Sequence, residues 1–422
     1  MRITLLAVGS RGDVQPLVAL GAALDRAGHR VRVATSPEFA DLVRGAGLDF
    51  SPAGPPATGV LSERGGRKLV SGAGGPVVQV LRLRRVLVPL IDQLLDDLRR
   101  AAADSDALLF TPLVNIGDIA QHVGVPAMMV SQWPKSRTSA FPAIGLPRMP
   151  LFGGPYNRLT HMLLEQLSWR PFQRAGNRAR TAIGLPPMRW GTPLGYAHRH
   201  RWPVLYGFSE TVVPRPADWG PWLHVTGYWS AEPPPGWEPP TRLLRFLDPG
   251  DPPVVITFGS MTAWDPAVLA RTAAEALRLA GRRGVLVGDL DLGGMEDDDR
   301  LLHVPEIPHD WLFPRAAAVV HHAGAGTSAA ALRAGVPNVT VPFFADQPFW
   351  AERIHALPAS PGPLPRSQLT PERLAAAIRQ ATHDPAIAAG ARRVGQQLRA
   401  EDSLGQAVRV VEQHIGARPA VP

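Results

Sequence analysis

Short apolar runs alternate with stretches of helical spacing along most of the chain. Residues 3 to 8, Ile-Thr-Leu-Leu-Ala-Val, predict a strand buried on both faces. Leu17, Leu20 and Leu24 then recur at helical spacing and stop at Gly28, which predicts a helix over Pro16 to Ala27. Val31 to Thr35 reads as a second strand, Glu38 to Gly45 as a helix, and Asp49-Phe50 lies near a third strand. The alternation continues through helix Val77 to Ala103 (with Pro89 as a kink site), strand Asp106 to Phe110, helix Asn115 to Val123 and strand Pro126 to Val130. A helix over Tyr156 to Ile183, interrupted near Pro171, precedes strands Pro203 to Phe208 and Trp222 to Thr226. The second half repeats the theme. It has helix Thr241 to Leu247, strand Pro253 to Phe258, helix Pro266 to Ala280, and strands Gly284 to Val287, Leu301 to Val304 and Ala316 to Val320. Helix Ala329 to Ala334, strand Asn338 to Val341 and helices from Gln347, Pro371 and Pro385 follow. Strand and helix in repeated alternation is the signature of a doubly wound α/β fold.

Two stretches break the pattern. Residues 51 to 76 are rich in Gly, Pro and Ser and predict a long loop. Residues 231 to 240 hold five prolines and cannot form a regular element, so a domain boundary falls there. The chain therefore divides into a first α/β domain over 1–228, a linker over 229–240, a second α/β domain over 241–400 and a terminal segment over 401–422. A length of 422 residues is ample for two such cores.

Composition narrows the class. The chain has no cysteine, so disulfide frameworks and thiolate metal sites are excluded, and a reducing cytoplasmic location is expected. No apolar run reaches the roughly 18 residues of a membrane helix, and the start does not read as a signal peptide. The net charge is +8, and 42 of the 44 basic residues are arginine. These residues look scattered, with aromatic interleaving only near His198-Arg199-His200-Arg201-Trp202, which reads as a solvated loop. Nucleic-acid binding is not expected, while weak contact with an anionic membrane surface stays open.

The candidate chemistry gathers at strand ends. Behind the apolar run Ala316 to Val320 stand His321, His322, Ala323, Gly324, Ala325, Gly326, Thr327 and Ser328, then a helix. A helix start carries unpaired N–H groups and partial positive charge, and two glycines let a phosphate approach closely. Thr327 and Ser328 add hydroxyls and His322 a ring N–H. The plainer alternative is a strand–turn–helix junction with Thr327 as N-cap. After the next strand come Asp346 and Gln347, a carboxylate beside a carboxamide, suited to vicinal hydroxyls or to capping the following helix. Asp13 follows the first strand's glycine turn at a helix start, where it could be a base or a cap with Pro16 in the first turn. The acidic run Asp297-Asp298-Asp299 has no His at ligand spacing, and no metal site is predicted.

Five stretches, in order, resemble the family 1 glycosyltransferases of the bacterial antibiotic and sterol type. They are Gly9-Ser10-Arg11-Gly12-Asp13-Val14-Gln15-Pro16, Phe258-Gly259-Ser260-Met261, Pro308 to Pro314, His321 to Thr327, and Pro342-Phe343-Phe344-Ala345-Asp346-Gln347-Pro348. The resemblance implies the GT-B fold, with two facing Rossmann-like domains and a final helix, here Gln406 to Ile415, crossing back to the first domain. It implies an inverting, metal-independent transfer of sugar from a UDP or dTDP donor to a hydroxyl on an apolar natural product. No cofactor is implied, since the nucleotide sugar is a co-substrate; oligomeric state is not specified. Asp13 would be the general base. Ser10, Arg11, Gly12, Ser260, Trp311, His322, Gly324, Ala325, Gly326, Thr327, Asp346 and Gln347 would contact the donor, with Trp311 stacking on its base. Trp133, Phe141 and Phe344 are the acceptor-side candidates.

The sequence departs from the family pattern in three places. Ala323 and Pro358 stand where glycine is common, and residues 288 to 294 lack a usual Gly-Trp pair. Two other readings remain at this point. Gly324-Ala325-Gly326-Thr327-Ser328-Ala329, with Asp346 about twenty residues on, loosely fits a dinucleotide fingerprint and hence an NAD(P)-dependent oxidoreductase. A non-catalytic nucleotide-binding homologue is the other.

Overall fold

The computed structural model describes residues 1–55, 75–112, 116–230, 236–248, 250–294 and 298–416, with 75–87, 116, 260, 263 and 264 described by backbone alone. Most of the predicted loop over 51–76, residues 231–235 of the predicted linker, Asp297 and the Ser260 side chain lie outside the described residues. The chain separates into two compact units. The first comprises Met1–Glu210, Arg215–Ala231 and Asp402–Pro422, and the second Thr211–Pro214 and Glu232–Glu401.

The first unit holds a seven-stranded sheet, β1 (Arg2–Leu6), β2 (Arg30–Thr35), β3 (Asp49–Pro52), β4 (Ala107–Phe110), β5 (Ala127–Ser131), β6 (Val204–Tyr206) and β7 (Leu223–Val225), in the order β3-β2-β1-β4-β5-β6-β7. Every pair is parallel. The helices are α1 (Arg11–Arg26), α2 (Ala40–Gly45), α3 (Gly75–Ala102), α4 (Ile116–Val123), α5 (Gly153–Trp169), α6 (Gln173–Ala182), α7 (Pro193–Arg199) and the final α15 (Ser403–Gly416). Ala407, Val411 and Ile415 of α15 enter the same core as Leu17 and Leu20 of α1. The His414 ring also donates from Nε2 to the Ala127 carbonyl at 3.2 Å. The final helix thus belongs to the first unit, as the fold class requires.

Two expectations need correction here. Helix α1 starts at Arg11, five residues before Pro16, so Pro16 lies inside the helix and outside its first turn. Leucine spacing reports only the buried stripe, whereas the polar first turn is held by Ser10 and Asp13. Proline inside a helix costs about 3 kcal/mol, but full burial of Leu17, Leu20 and Leu24 contributes about 1.5–3 kcal/mol each. The cluster at 198–202 is not simply a solvated loop. His198 and Arg199 end α7, which Thr192 caps by accepting from the Gly195 N–H at 2.9 Å. Trp202 is buried edge-on to Phe110, with ring centres 5.7 Å apart.

The second unit holds a five-stranded parallel sheet, β8 (Val254–Thr257), β9 (Gly284–Val287), β10 (Leu301–Val304), β11 (Ala318–His321) and β12 (Asn338–Thr340), ordered β10-β9-β8-β11-β12. Its helices are α8 (Thr241–Leu247), α9 (Pro266–Ala280), α10 (His309–Leu312), α11 (Ala325–Ala334), α12 (Gln347–Ala356), α13 (Pro371–His383) and α14 (Pro385–Ala400). Val254 and Ile256 join a core with α9 and α13, while Val255 between them joins another with Leu243 and Leu312. Both faces of the sheet are covered, which explains the unbroken apolar strands. In each unit the order reverses beside the first strand, between β1 and β4 and between β8 and β11. A ligand-binding crevice is expected outside the carboxyl ends of the strands at such a reversal.

Candidate functional site

At the first reversal β1 runs into Gly9 and then α1. Ser10 is the N-cap residue, and both its N–H and its hydroxyl donate to Asp13 Oδ2 at 2.9 Å. Gly9 has φ of 145°, and a methyl group there would sit 2.5 Å from that oxygen. Glycine is therefore what lets the Asp13 carboxylate fold back over the turn. Asp13 Oδ1 has no hydrogen-bond partner among the described residues. Arg11 is turned to Gln15 through Nε–Oε1 at 3.2 Å, and Gly12 is exposed. Asp13 is thus both a cap and a carboxylate with one oxygen to spare.

At the second reversal the loops after β8, β11 and β12 converge. His322 packs beside Gly259 of the β8 loop, and a methyl group at 324 would lie 2.4 Å from His322 Nε2. Burial, with lesser help from His321 and His309, pushes the His322 pKa down to about 3, so the ring is neutral. Its Nδ1 is buried and has no partner among the described residues. A buried lone pair is better tolerated than a buried N–H, which assigns the proton to Nε2. His321 is fixed more fully. Its Nδ1 accepts from the Ala323 N–H at 3.2 Å and its Nε2 donates to Asn338 Oδ1 at 2.9 Å. Burial holds its pKa at about 4 despite that bond.

Helix α11 begins at Ala325 with Gly324 as N-cap, so the reading of Thr327 as cap is corrected: Thr327 is the third helical residue. Among the described residues no side chain caps this end, and its first turn holds no acid. The N–H groups of Ala325, Gly326 and Thr327 precede any i−4 carbonyl within the helix. Thr327 is half-buried and Gly326 exposed, whereas Ser328 is fully buried and does not offer its hydroxyl to solvent. Ala323 has φ of 62°, so the residue standing where glycine is common does occupy the left-handed region. Pro358 directly follows Leu357, the C-cap residue of α12, where glycine usually ends a helix.

The Asp346-Gln347 pair divides. Asp346 is the N-cap residue of α12, but its side chain makes no cap hydrogen bond. Its Oδ2 instead accepts from Trp350 Nε1 at 2.9 Å. Gln347 is buried, and its Oε1 accepts from the Phe343 and Phe344 N–H groups at 2.7 and 3.3 Å. Its Nε2 meets Met261 Sδ at 3.5 Å, which ties the β12 loop to the β8 loop. Trp350, one helical turn beyond Asp346, is the functional neighbour that sequence reasoning missed; the i,i+4 spacing was the available signal. Trp311 is half-buried, with the Arg315 guanidinium 4.1 Å over its ring and Trp237 tilted against it at 5.6 Å.

The acceptor-side candidates are dispersed. Phe141 is only 7% exposed and packs against His161, Trp133 lies under Lys135 Nζ at 4.0 Å, and Phe344 is 40% exposed in the second unit. Ser10, Arg11, Gly12 and Asp13 belong to the first unit, and the remaining donor candidates to the second.

Comparison with known proteins meets this geometry from outside. Residues 3–86 match a model described as the glycosyltransferase family 28 N-terminal domain, and residues 291–413 match the erythromycin biosynthesis protein CIII-like C-terminal domain. The chain is 39% identical to O-mycaminosyltylonolide 6-deoxyallosyltransferase of Streptomyces fradiae, over 99% of this chain and 98% of that one. It is 34% identical to a sterol 3-beta-glucosyltransferase of Cryptococcus neoformans, over 97% of this chain but only 27% of that longer protein. Among solved structures, the glycotransferase of kitacinnamycin aligns with a TM-score of 0.72 at 21% identity, covering 98% of each chain. The glycosyltransferase VinC in complex with DTDP aligns at 0.67 and 20%, covering 99% of this chain and 100% of that one.

Proposed function

We propose that this chain, which belongs to the GT-B family 1 glycosyltransferases of the antibiotic and sterol type, moves a sugar from a UDP- or dTDP-sugar to a hydroxyl of an apolar natural product. The observation that carries this reading is the N-terminus of α11: uncapped by any side chain among the described residues, free of acid in its first turn, and adjoined by the neutral His322 ring. Such an end accepts the growing negative charge of a departing diphosphate. The acceptor oxygen attacks the anomeric carbon as the bond to the diphosphate breaks, and a single displacement inverts that carbon. Asp13 Oδ1 takes the acceptor proton, while Oδ2 stays held by Ser10. Backbone N–H groups, the Thr327 hydroxyl and His322 Nε2–H supply the stabilisation, so the transfer is metal-independent.

Asp346, anchored by Trp350, binds hydroxyls of the donor sugar, and Gln347 acts by holding the Phe343-Phe344 loop. Trp311 carries the donor base. The S. fradiae relative's name couples a 6-deoxyallosyl group to O-mycaminosyltylonolide, which favours a deoxysugar donor as the first series to screen. The oxidoreductase reading falls with the family assignment and for a local reason as well. The required acid should end a strand, whereas Asp346 sits in a loop beyond β12.

The test is calorimetry with UDP, dTDP, GDP, ADP and NADPH in EDTA. Binding of UDP or dTDP is expected. Tighter binding of NADPH, or a nucleotide site that appears only with added divalent metal, would overturn the reading.

A further inference from the structure

The basic residues are less scattered than their spacing suggests. Residues 141–202 contain nine arginines, no lysine and a single acid, Glu165, so this stretch alone accounts for the whole net charge of +8. Glu165 is itself buried against Arg137, with Nε–Oε1 at 2.8 Å. Two of the nine, Arg158 and Arg180, meet Asp218 and Asp118 from outside the stretch. Arg148, Arg170, Arg174 and Arg189 are exposed and meet no acid among the described residues.

Among the described residues, the same stretch shows most of the large exposed apolar side chains. Leu159, Leu163 and Leu167 recur every fourth residue along α5 and are 62, 49 and 46% exposed, with Met162 beside them. Leu151 and Phe152, just ahead of α5, are 96 and 61% exposed. The opposite side of α5, with His161, Glu165 and Trp169, is buried. Trp190 is 83% exposed, on a loop that Gln173 holds at the start of α6 through the Met188 and Arg189 carbonyls, 3.0 and 3.2 Å away. Scattered single exposed leucines need no explanation, but a stripe of this kind does.

We infer that this face of the first unit docks on an anionic membrane surface, with the α5 stripe and the aromatics at 152 and 190 entering the headgroup boundary and the arginines meeting lipid phosphates. A second copy of the chain is the wrong occupant, because an isologous contact would press this positive surface against itself. A helix with leucines outward, aromatics near its ends and arginines around it has the character of an interfacial helix. The docking is independent of which donor or acceptor the enzyme uses.

The full chain should be sedimented with vesicles of pure phosphatidylcholine and of phosphatidylcholine mixed with phosphatidylglycerol. Binding is expected to the anionic vesicles only and to fall in 0.5 M salt, roughly as expected for charges within a Debye length of the surface. Arg170→Gln with Arg174→Gln should weaken it about fivefold per charge, and Leu163→Ser should weaken it about tenfold, with thermal stability kept. Equal binding to neutral vesicles, no binding to either, or binding indifferent to both sets of substitutions would overturn the proposal. So would a concentration-dependent dimer abolished by Leu163→Ser.

Discussion

The β1–α1 and β11–α11 junctions share one architecture and carry opposite charge. Each leaves a central strand beside its sheet's reversal, turns at a residue with positive φ and enters a helix. In α1 the third helical residue is Asp13, whose carboxylate folds back on the N-cap and offsets the helix dipole from within. In α11 the third helical residue is Thr327, and nothing acidic or capping stands in the first turn. One junction meets its helix start with its own carboxylate. The other leaves its helix start without one. A single side chain at the same helical position decides which.

The comparison can be broken most sharply at Asp13. Asp13→Asn keeps a hydrogen-bonding shape but cannot take a proton, so turnover should fall about 10²–10⁴-fold with nucleotide affinity nearly unchanged. Initial rates with a nucleotide sugar beside calorimetry would separate the two, and undiminished turnover would remove Asp13 from the reaction. The converse change is Thr327→Asp, which copies the first junction into the second. It should weaken nucleotide diphosphate binding by more than about tenfold through like-charge repulsion. The melting temperature should hold or rise slightly, because an acid near a helix start contributes about 0.3–1 kcal/mol. A parallel loss of stability and affinity would mean the site was damaged rather than filled.

Acid should also distinguish the junctions. His321 and His322 ionise near the ordinary 6.5 when unfolded but only near 4 and 3 when folded. Below 6.5 the unfolded chain takes up protons that the folded chain does not. Their contribution is therefore complete above pH 6.5 and is lost as the pH falls toward 3. Hydrogen exchange at residues 321–328 should accelerate between pH 7 and 4, after correction for intrinsic rates, more than at residues 9–14. The smallest expected effect is at Ala323. Ala323→Gly removes a side chain from φ of 62° and should stabilise the protein by about 1 kcal/mol, read as a higher melting temperature.

Much of this was legible in the sequence. Apolar runs without alternation mark strands covered on both faces, and helices α8 and α9 and strands β9 and β10 lie where the pattern puts them. Glycines, prolines and one-turn spacing are local properties, and so the two-domain α/β class and the strand–turn–helix junction at 321–328 follow from neighbours in the chain. The first turns of α1 and α11 were harder, because polar capping residues carry no hydrophobic period.

What only the tertiary structure decided is the company each group keeps. No spacing rule places His321 against Asn338 across two strands, His322 between the backbones at 259 and 324, or Gln347 against Met261. Local conformation is dictated by residues a few positions apart. Protonation, tautomer and anion affinity depend on burial and on distances between segments far apart in sequence, and those exist only once the sheets have formed.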